Sequence, residues 1–198
     1  MPATQAQGRR RLQKEATREH IIKTATAVYA RRGFSAPTSV IAQEAGLSHG
    51  SIFVHFPTRE SLQLSVLERF AHDLGDSLHG LSLSGGGIEE LLHAHVRVLK
   101  AYEPFYKNVI SEASSLPQET MSLLISVQSA ASYHIGAAIE EGKREGAVKD
   151  IPLSMLFNAW MGLLHYYLQN SELFAPGASV LDRYEDELVD GFVRLIST

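Results

Sequence analysis

The chain has 198 residues, 44% of them hydrophobic, with no cysteine and a formal net charge of −4. This length and composition indicate one or two domains with a substantial core, and they exclude a membrane protein. The lack of cysteine excludes a disulfide scaffold, a cysteine-ligated zinc site and a cysteine nucleophile. The first residues lack the apolar segment of a signal peptide, so we expect a cytoplasmic protein without membrane association.

The first helix is predicted from an apolar stripe over residues 21–29, and Gly33 ends it. A second helix spans residues 38–45 with Thr38 as its N-cap, and a third spans 48–53 with Ser48 as its N-cap. A fourth helix follows Pro57-Thr58 and reaches about residue 75. Its apolar stripe consists of Leu62, Val66, Phe70 and Leu74.

A glycine-rich loop is predicted at residues 82–87, and five further helices follow it. They cover residues 88–102, 104–114, 118–144, 153–170 and 180–196. No segment alternates apolar and polar residues as a strand does. The sequence therefore predicts an all-α fold, with a small amino-terminal head and a larger helical body.

Charge separates the same two parts. Residues 1–60 contain nine Lys or Arg against four Glu, an excess of +5, whereas the remainder carries −9. A basic amino-terminal part is typical of a polyanion-binding module, but a solvated basic helix face gives the same pattern. Charge alone favours nucleic acid only slightly.

The second and third helices meet through the tight turn Gly46-Leu47, which is the arrangement of a helix-turn-helix. Gly46 suits the left-handed conformation that ends the first of them. Residues 48–51 remain exposed at the start of the next helix. An ordinary hairpin in a helical bundle would show the same spacing, so the pattern alone leaves both interpretations open.

The residues themselves are more specific. The run TSVIAQEAGLSHGSIFVHFPTRESL at residues 38–62, with its flank from residue 21, resembles the DNA-binding domain of TetR-family transcriptional regulators. The resemblance covers about residues 15–75, and the body shares only the family's helical layout. Phe53 stands where the family usually has tyrosine, which removes a hydroxyl contact to phosphate. Arg59 replaces the usual lysine and keeps its charge.

The resemblance implies a homodimeric repressor, or less often an activator, that releases a palindromic double-stranded DNA operator on binding a small ligand. The recognition helix would place His49 and Ser51 nearest the base edges. Thr38, Ser48, His55 and Arg59 would contact phosphates. The complete set of expected DNA-binding residues is Thr38, Ser48, His49, Gly50, Ser51, Phe53, His55 and Arg59.

The resemblance also divides the chain. Residues 1–14 are expected to form a flexible basic arm whose Arg9–Arg11 and Lys14 lie near the DNA. Disorder is the favoured expectation for the first eight residues of that arm. Residues 15–60 form the helix-turn-helix domain, a three-helix unit with its motif at about 37–56. Residues 61–198 form the ligand-binding and dimerisation domain.

Broad apolar faces on the helices at 153–170 and 180–196 favour a dimer independently of the family. A small body has difficulty burying both helices, and a four-helix interface with a second copy would cover them. A monomeric bundle with both helices central is the alternative. The expected interface residues are Leu156, Trp160, Leu164, Tyr167, Leu181, Tyr184, Leu188, Phe192 and Leu195.

The ligand site is expected as a cavity in the body, lined by apolar and aromatic side chains with a few polar groups. We expect a small apolar or aromatic effector and no cofactor. The candidate lining residues are His93, Arg97, Tyr102, Phe105, Met121, Ile125, His134, Trp160 and His165.

Two other classes of function compete with a regulator. Glu90 and His93 form a Glu-x-x-His pair, half of a di-iron site in a helical bundle, but the sequence contains no second copy. An enzyme with a metal site is therefore disfavoured, and no metal is expected. A purely structural or interaction protein would leave the helix-turn-helix and the charge asymmetry unexplained.

Overall fold

The computed structural model describes residues 3–198, with side chains from residue 7 onward. No strand occurs in that range, where a single isolated bridge joins Val148 to Ser197, and the all-α prediction is confirmed. None of the helices in the described range has the length and apolar run needed to cross a membrane. The helices are α1 (Ala3–Arg32), α2 (Thr38–Glu44), α3 (His49–His55), α4 (Arg59–Leu83), α5 (Ile88–Ala101), α6 (Glu103–Glu112), α7 (Gln118–Arg144), α8 (Leu153–Gln169), α9 (Ser171–Phe174) and α10 (Val180–Ile196), with a 3-10 turn at Ala113–Ser115.

The amino-terminal part of α1 differs from the expected flexible arm. Residues 3–14 are helical and continue α1 without a break, and the side chains of residues 7–14 are exposed. Met1 and Pro2, which belonged to the predicted disordered segment, lie outside the described residues. The basic side chains of this segment therefore extend from a helix.

Two caps were predicted correctly and one was not. Ser48 accepts a hydrogen bond from the backbone N–H of Ser51, and Thr58 forms a capping box with Ser61. Pro37, not Thr38, occupies the N-cap of α2, and no side chain caps that helix. Thr38 is buried in the first turn, where its hydroxyl bonds a side chain of α3.

The fourth helix is longer than predicted. It runs through Gly75 and Gly80 to Leu83, because Leu74 and Leu78 continue its buried face beyond the first glycine. Each glycine inside a helix costs only about 1 kcal/mol, which burial of apolar side chains outweighs. The expected domain boundary at residue 60 thus falls in the first turn of a helix that contacts α1 in the head and α5 and α7 in the body.

Side chains of α6 hold the end of α1 and the loop that follows it. Asn108 Nδ2 donates to the carbonyl oxygens of Tyr29 and Ala30 at 2.6 and 3.0 Å. Glu112 accepts the backbone N–H of Phe34 at 3.2 Å. Gly33 adopts φ +73°, a conformation that residues with a side chain rarely adopt, and the carboxyl group of Glu112 lies against it.

The opposite end of α6 supports the last helix. The buried Glu103 carboxyl accepts the backbone N–H groups of Val180 and Leu181 at 2.9 and 3.1 Å, and the Ser179 hydroxyl at 2.6 Å. These N–H groups belong to the first turn of α10, which has no intrahelical acceptor for them. One short helix therefore connects the end of α1 to the start of α10.

We expect Glu103→Ala to lower the free energy of unfolding by about 2–4 kcal/mol, because it leaves several buried donors without an acceptor. Urea unfolding followed by circular dichroism measures the change. Glu68→Ala, at an exposed position of α4, is the matched control and should shift stability by less than about 0.5 kcal/mol. Equal effects of the two substitutions would show that the Glu103 contacts contribute little.

Candidate nucleic-acid interface

The turn between α2 and α3 is closed by backbone hydrogen bonds. Gly46 adopts φ +67°, and the N–H of Leu47 donates back to the carbonyl of Ala42 at 2.9 Å. On the inner side, Ile41 and Ile52 are fully buried and hold the two helices together. The helix-turn-helix predicted from spacing is therefore formed, with a rigid turn between its helices.

The outer side of α3 carries both polar and apolar groups. Ser48, His49 and Gly50 are exposed at its beginning. Further along, the side chain of Phe53 is 40% exposed and that of Val54 is 70% exposed. A short helix with such an outward face can donate, accept and make apolar contacts at once, as reading of base edges requires.

His49 is held in place by two neighbours. Its Nε2 lies 2.9 Å from the hydroxyl of the buried Thr38, and its ring meets the edge of Phe53 at a centroid distance of 5.1 Å. The remaining ring nitrogen, Nδ1, has no hydrogen-bond partner among the described residues. The imidazole thus has a fixed orientation on an exposed surface.

The basic side chains near this surface have different roles. Arg18 donates to Ser65 and stacks over the ring of Phe56, directly after α3. Arg10 and Lys14 precede Arg18 by two turns and one turn, so the three share one face of α1. The exposed cations of the helical extension therefore lie in line with a residue that packs against the end of α3.

Known proteins share this arrangement. Residues 21–66 match the family of bacterial regulatory proteins described as the tetR family. Over 54 residues the chain is 43% identical to YerO, an HTH-type transcriptional regulator of Bacillus subtilis, and this match spans 27% of the chain and 19% of YerO. Residues 21–66 therefore carry the amino-terminal segment that this family model describes. Members of this family are DNA-binding transcriptional regulators, and the matched segment contains the helix-turn-helix described above.

The TetR-family fold extends over the body. A transcriptional regulator from Saccharomonospora viridis, solved in complex with choline, superposes with a TM-score of 0.77 at 22% identity, covering 93% of this chain and 99% of its own. FadR from Bacillus subtilis, solved in complex with stearoyl-CoA, superposes with a TM-score of 0.71 at 14% identity. This match covers 88% of this chain and 97% of FadR. At these identities the similarity shows the fold alone.

Arg59 does not point where the family resemblance implied. Its guanidinium donates to the carbonyl oxygen of Phe34, beside Gln63, which donates to the same oxygen at 3.0 Å. The side chain is directed into the junction between head and body, where Glu60 and Glu112 also lie. Arg59 thus makes a structural contact at this junction, and its contact to phosphate stays a prediction.

The other expected DNA-binding residues differ in accessibility. Ser48, His49, Gly50 and Phe53 lie on the exposed face, and Ser51 and His55 are half-buried. Val54 was not among the predicted surface residues of α3, because a single valine in a helix is equally compatible with a position in the core. Phe53 and Val54 together place apolar surface on the outward face of α3.

A polar cluster lies inside the body. Trp160 Nε1 donates to His95 Nδ1 at 3.0 Å, and Tyr106 and His165 share a hydrogen bond of 3.0 Å. Burial, with a smaller contribution from His165, lowers the pKa of His95 to about 4. Burial also lowers the pKa of His165 and raises that of Tyr106. These groups are therefore uncharged at neutral pH.

The adjoining cavity is small, about 10 Å³, which is room for one water at most. Aliphatic and aromatic side chains line it together with His95, Tyr106 and Gln128. Trp160 and His165 from the predicted pocket belong to the same cluster. His95 was missed, although it lies between Leu92 and Leu99 on the apolar stripe of α5, where a polar residue is unusual.

The remaining candidates for the ligand pocket lie elsewhere. Arg97 and Ile125 are exposed, and His134 pairs with the ring of His79 on the surface between α4 and α7. Tyr102 and Phe105 line a groove beside α1, and Met121 is half-buried at the start of α7. The predicted set thus combined several separate sites, because helical periodicity does not show which faces converge.

The metal-site alternative is not supported at Glu90 and His93. His93 Nδ1 lies 3.2 Å from Glu185, which also binds Lys100, and Glu90 is exposed. In the described part of the chain, no three His, Asp or Glu side chains are grouped as a metal site requires. His93 therefore belongs to a structural contact between α5 and α10.

Most members of the predicted dimer stripe lie in the core of the single chain. Leu156, Trp160, Leu164, Leu181, Leu188 and Phe192 are all buried within the single chain. Helix α10 packs on α5 and α8, and α8 also packs on α6 and α7, so these side chains face the chain's own core. Tyr167 and Tyr184 are half-buried in an aromatic cluster with Phe174, and Leu195 alone among the predicted interface residues is largely exposed.

We expect Thr38→Val to reduce sequence discrimination by about fivefold, because it removes the hydroxyl that orients His49, a contact of about 1 kcal/mol. The measurement is the ratio of affinities for a selected operator and a scrambled duplex at one fixed salt concentration. Thr38→Ser keeps the hydroxyl and should keep the ratio. An unchanged ratio in the valine variant would show that this contact does not matter for recognition.

Stability is expected to fall on acidification from about pH 6.5 to about pH 4, because the folded protein disfavours protonation of His95 whereas the unfolded chain accepts it. Thermal unfolding across this pH range measures the effect. His95→Gln keeps an acceptor for Trp160 but does not titrate, so its unfolding midpoint should depend less on pH. An identical pH dependence in both proteins would contradict this role of His95.

Proposed function

We propose that this chain binds a two-fold symmetric operator as a homodimeric repressor and leaves it when a small molecule enters the body. The outward face of α3 is the observation that carries the proposal. It combines an oriented imidazole, exposed serine and glycine at the beginning of the helix, and two exposed apolar side chains.

Each part of this face suits a feature of the major groove. His49 can donate to or accept from a base edge, and Gly50, which has no atoms within 4 Å of a Cβ position, permits close approach of the backbone. Phe53 and Val54 offer the apolar contact that a thymine methyl group accepts. We therefore expect half-sites that contain A·T pairs opposite the end of α3.

Phosphate contacts would come from the helical extension of α1. Arg10 and Lys14 are exposed, and they share a face with Arg18, which packs at the end of α3. Contacts of this kind set register and raise affinity without reading sequence. They would add to the phosphate contact that the resemblance implies for Arg59.

The homodimer is supported by the outer faces of α8 and α10. Met155, Ala159, Gly162 and Tyr166 follow at helical spacing on the exposed side of α8, and Met155 and Tyr166 are 63% and 55% exposed. On α10, Leu195 is 65% exposed. An exposed apolar patch of this kind on a helical body is typical of a protein interface.

Two glycines strengthen this interpretation. Gly162 in α8 and Gly191 in α10 are exposed, and a Cβ at either position would meet no atom of the chain within 4 Å. Glycine costs helix stability, so its place on outward faces suggests a partner that approaches the backbone closely. We propose that α8 and α10 pack against the same helices of a second copy as a four-helix interface.

The effector is proposed to bind at the polar cluster of His95, Tyr106 and His165. Choline and stearoyl-CoA in two structural relatives support the idea that this fold accommodates small molecules. Because the cavity here is only about 10 Å³, a ligand has to displace side chains such as Met161. An apolar or aromatic molecule with one or two hydrogen-bonding groups fits the lining best.

Selection of bound DNA from a random duplex pool tests this function. We expect a two-fold symmetric motif whose half-sites are centred about 34–36 Å apart, or a multiple of that distance. Failure to retain any duplex at low salt, or enrichment of one asymmetric site by a monomer, would contradict the proposal.

The dimer is tested in the same selection. Gly162→Arg introduces a charge on the proposed interface and is expected to give a monomer in sedimentation and to lose the two-fold motif. Ala137→Arg, at an exposed position of α7, is the matched control and should stay dimeric. If Gly162→Arg remained dimeric and kept the motif, the outer face of α8 would not be the interface.

A further inference from the structure

A groove of about 670 Å³ lies between the head and the body, apart from both α3 and the core cavity. We call it the head–body groove. Its walls come from α1, α4 and the start of α6. Its lining residues include Lys23, Thr26, Ala27, Arg69, Asp73 and Pro104. This volume is within the range of small-molecule sites, roughly 300–1,000 Å³.

One wall of the groove is a closed polar network. Arg69 lies 2.9 Å from Glu19 and 3.8 Å from Asp73, and the Tyr102 hydroxyl donates to Asp73. Two carboxyl groups, one guanidinium and one phenol are therefore already bonded to one another. With two carboxylates facing one guanidinium, this wall keeps a net charge of −1, so the acidic group of a ligand has to bind on the opposite side of the groove.

The other side carries a charge that nothing compensates. Lys23 lines the groove from α1, and it forms no ion pair with any residue of the described chain. Its carboxylate neighbour one turn earlier, Glu19, is engaged by Arg69. Ala27, Ala101 and Pro104 provide exposed apolar surface beside it. A cation next to apolar surface is complementary to a molecule with an aromatic or aliphatic part and an acidic group.

The groove is also connected to the helix-turn-helix. His20 lines it, and its Nε2 lies 3.0 Å from the carbonyl oxygen of Ala45 at the end of α2. Since a carbonyl only accepts, Nε2 carries the proton and donates. A molecule in the groove would therefore touch a side chain that fixes the end of α2, together with residues of α4 and α6.

We propose that the head–body groove is a second small-molecule site, separate from the body core, and that it binds an amphipathic organic anion. The acidic group pairs with Lys23, and the apolar part lies on Ala27 and Pro104. Any effect on operator affinity rests on the proposed function. The site itself does not, so its test measures binding without DNA.

The fluorescent probe anilinonaphthalenesulfonate, an aromatic anion, tests the site by titration of the full chain. We expect Lys23→Glu to raise its Kd about tenfold, because attraction becomes repulsion, and ~1.4 kcal/mol corresponds to a factor of ten. Ala27→Trp should fill the groove and remove binding. The matched controls are Lys14→Glu and Ala16→Trp, which alter exposed positions of the same helix outside the groove.

Competition between the probe and two naphthalenes of opposite charge tests whether the groove prefers an anionic ligand. Naphthoate should displace the probe, whereas the naphthylmethylammonium cation should not. Lys23 is at the surface, so its substitution leaves the fold intact even if tryptophan at position 27 does not. No probe binding by the unmodified protein, equal affinity in Lys23→Glu and Lys14→Glu, or equal displacement by the cation would each overturn the proposal.

Discussion

The backbone of Phe34 forms hydrogen bonds with side chains of two different helices. Its N–H is accepted by Glu112 of α6, and its carbonyl accepts from Arg59 and Gln63 of α4. A buried backbone group without a partner costs about 1–3 kcal/mol, so these contacts fix the loop that precedes α2. Since α2 begins four residues later, they also fix the helix-turn-helix. The buried core runs without interruption from α1 to α10, and the recognition surface is therefore oriented by the body.

Local sequence signals predicted the helices well. They failed for side chains whose contacts are made with residues distant in the sequence. Spacing and turn chemistry located the turn at Gly46 and the caps at Ser48 and Thr58, because such features depend on residues within four positions. The partners of Thr38 and Arg59 come from other elements, so a cap and a phosphate contact were expected where the structure has a contact to His49 and one to Phe34. No short-range pattern contains that information.

The body shows the same limit for apolar residues. Helices α8 and α10 are apolar over more than one face. The periodicity of apolar residues identifies these faces, but it does not show which of them packs against the chain's own core. Leu188 is buried against the chain itself, and Leu195, two turns later, is exposed. Conversely, His95 could have been found, since a histidine within an apolar stripe indicates a buried polar partner, here Trp160. The core cavity and the head–body groove lie where several helices pack together, and the sequence pattern does not show which helices are neighbours.

The unbroken length of α4 has a mechanical consequence. Its 25 residues span about 37 Å, with Leu62 in the head and Leu78 in the body. If α4 turns as a rigid rod about its body end, a rotation of roughly 5° displaces its first residue by about 3 Å, given that length. This is close to the ~3.4 Å rise between neighbouring base pairs. A rearrangement of side chains too small to alter the fold would thus shift the reading head by about one step along a DNA helix.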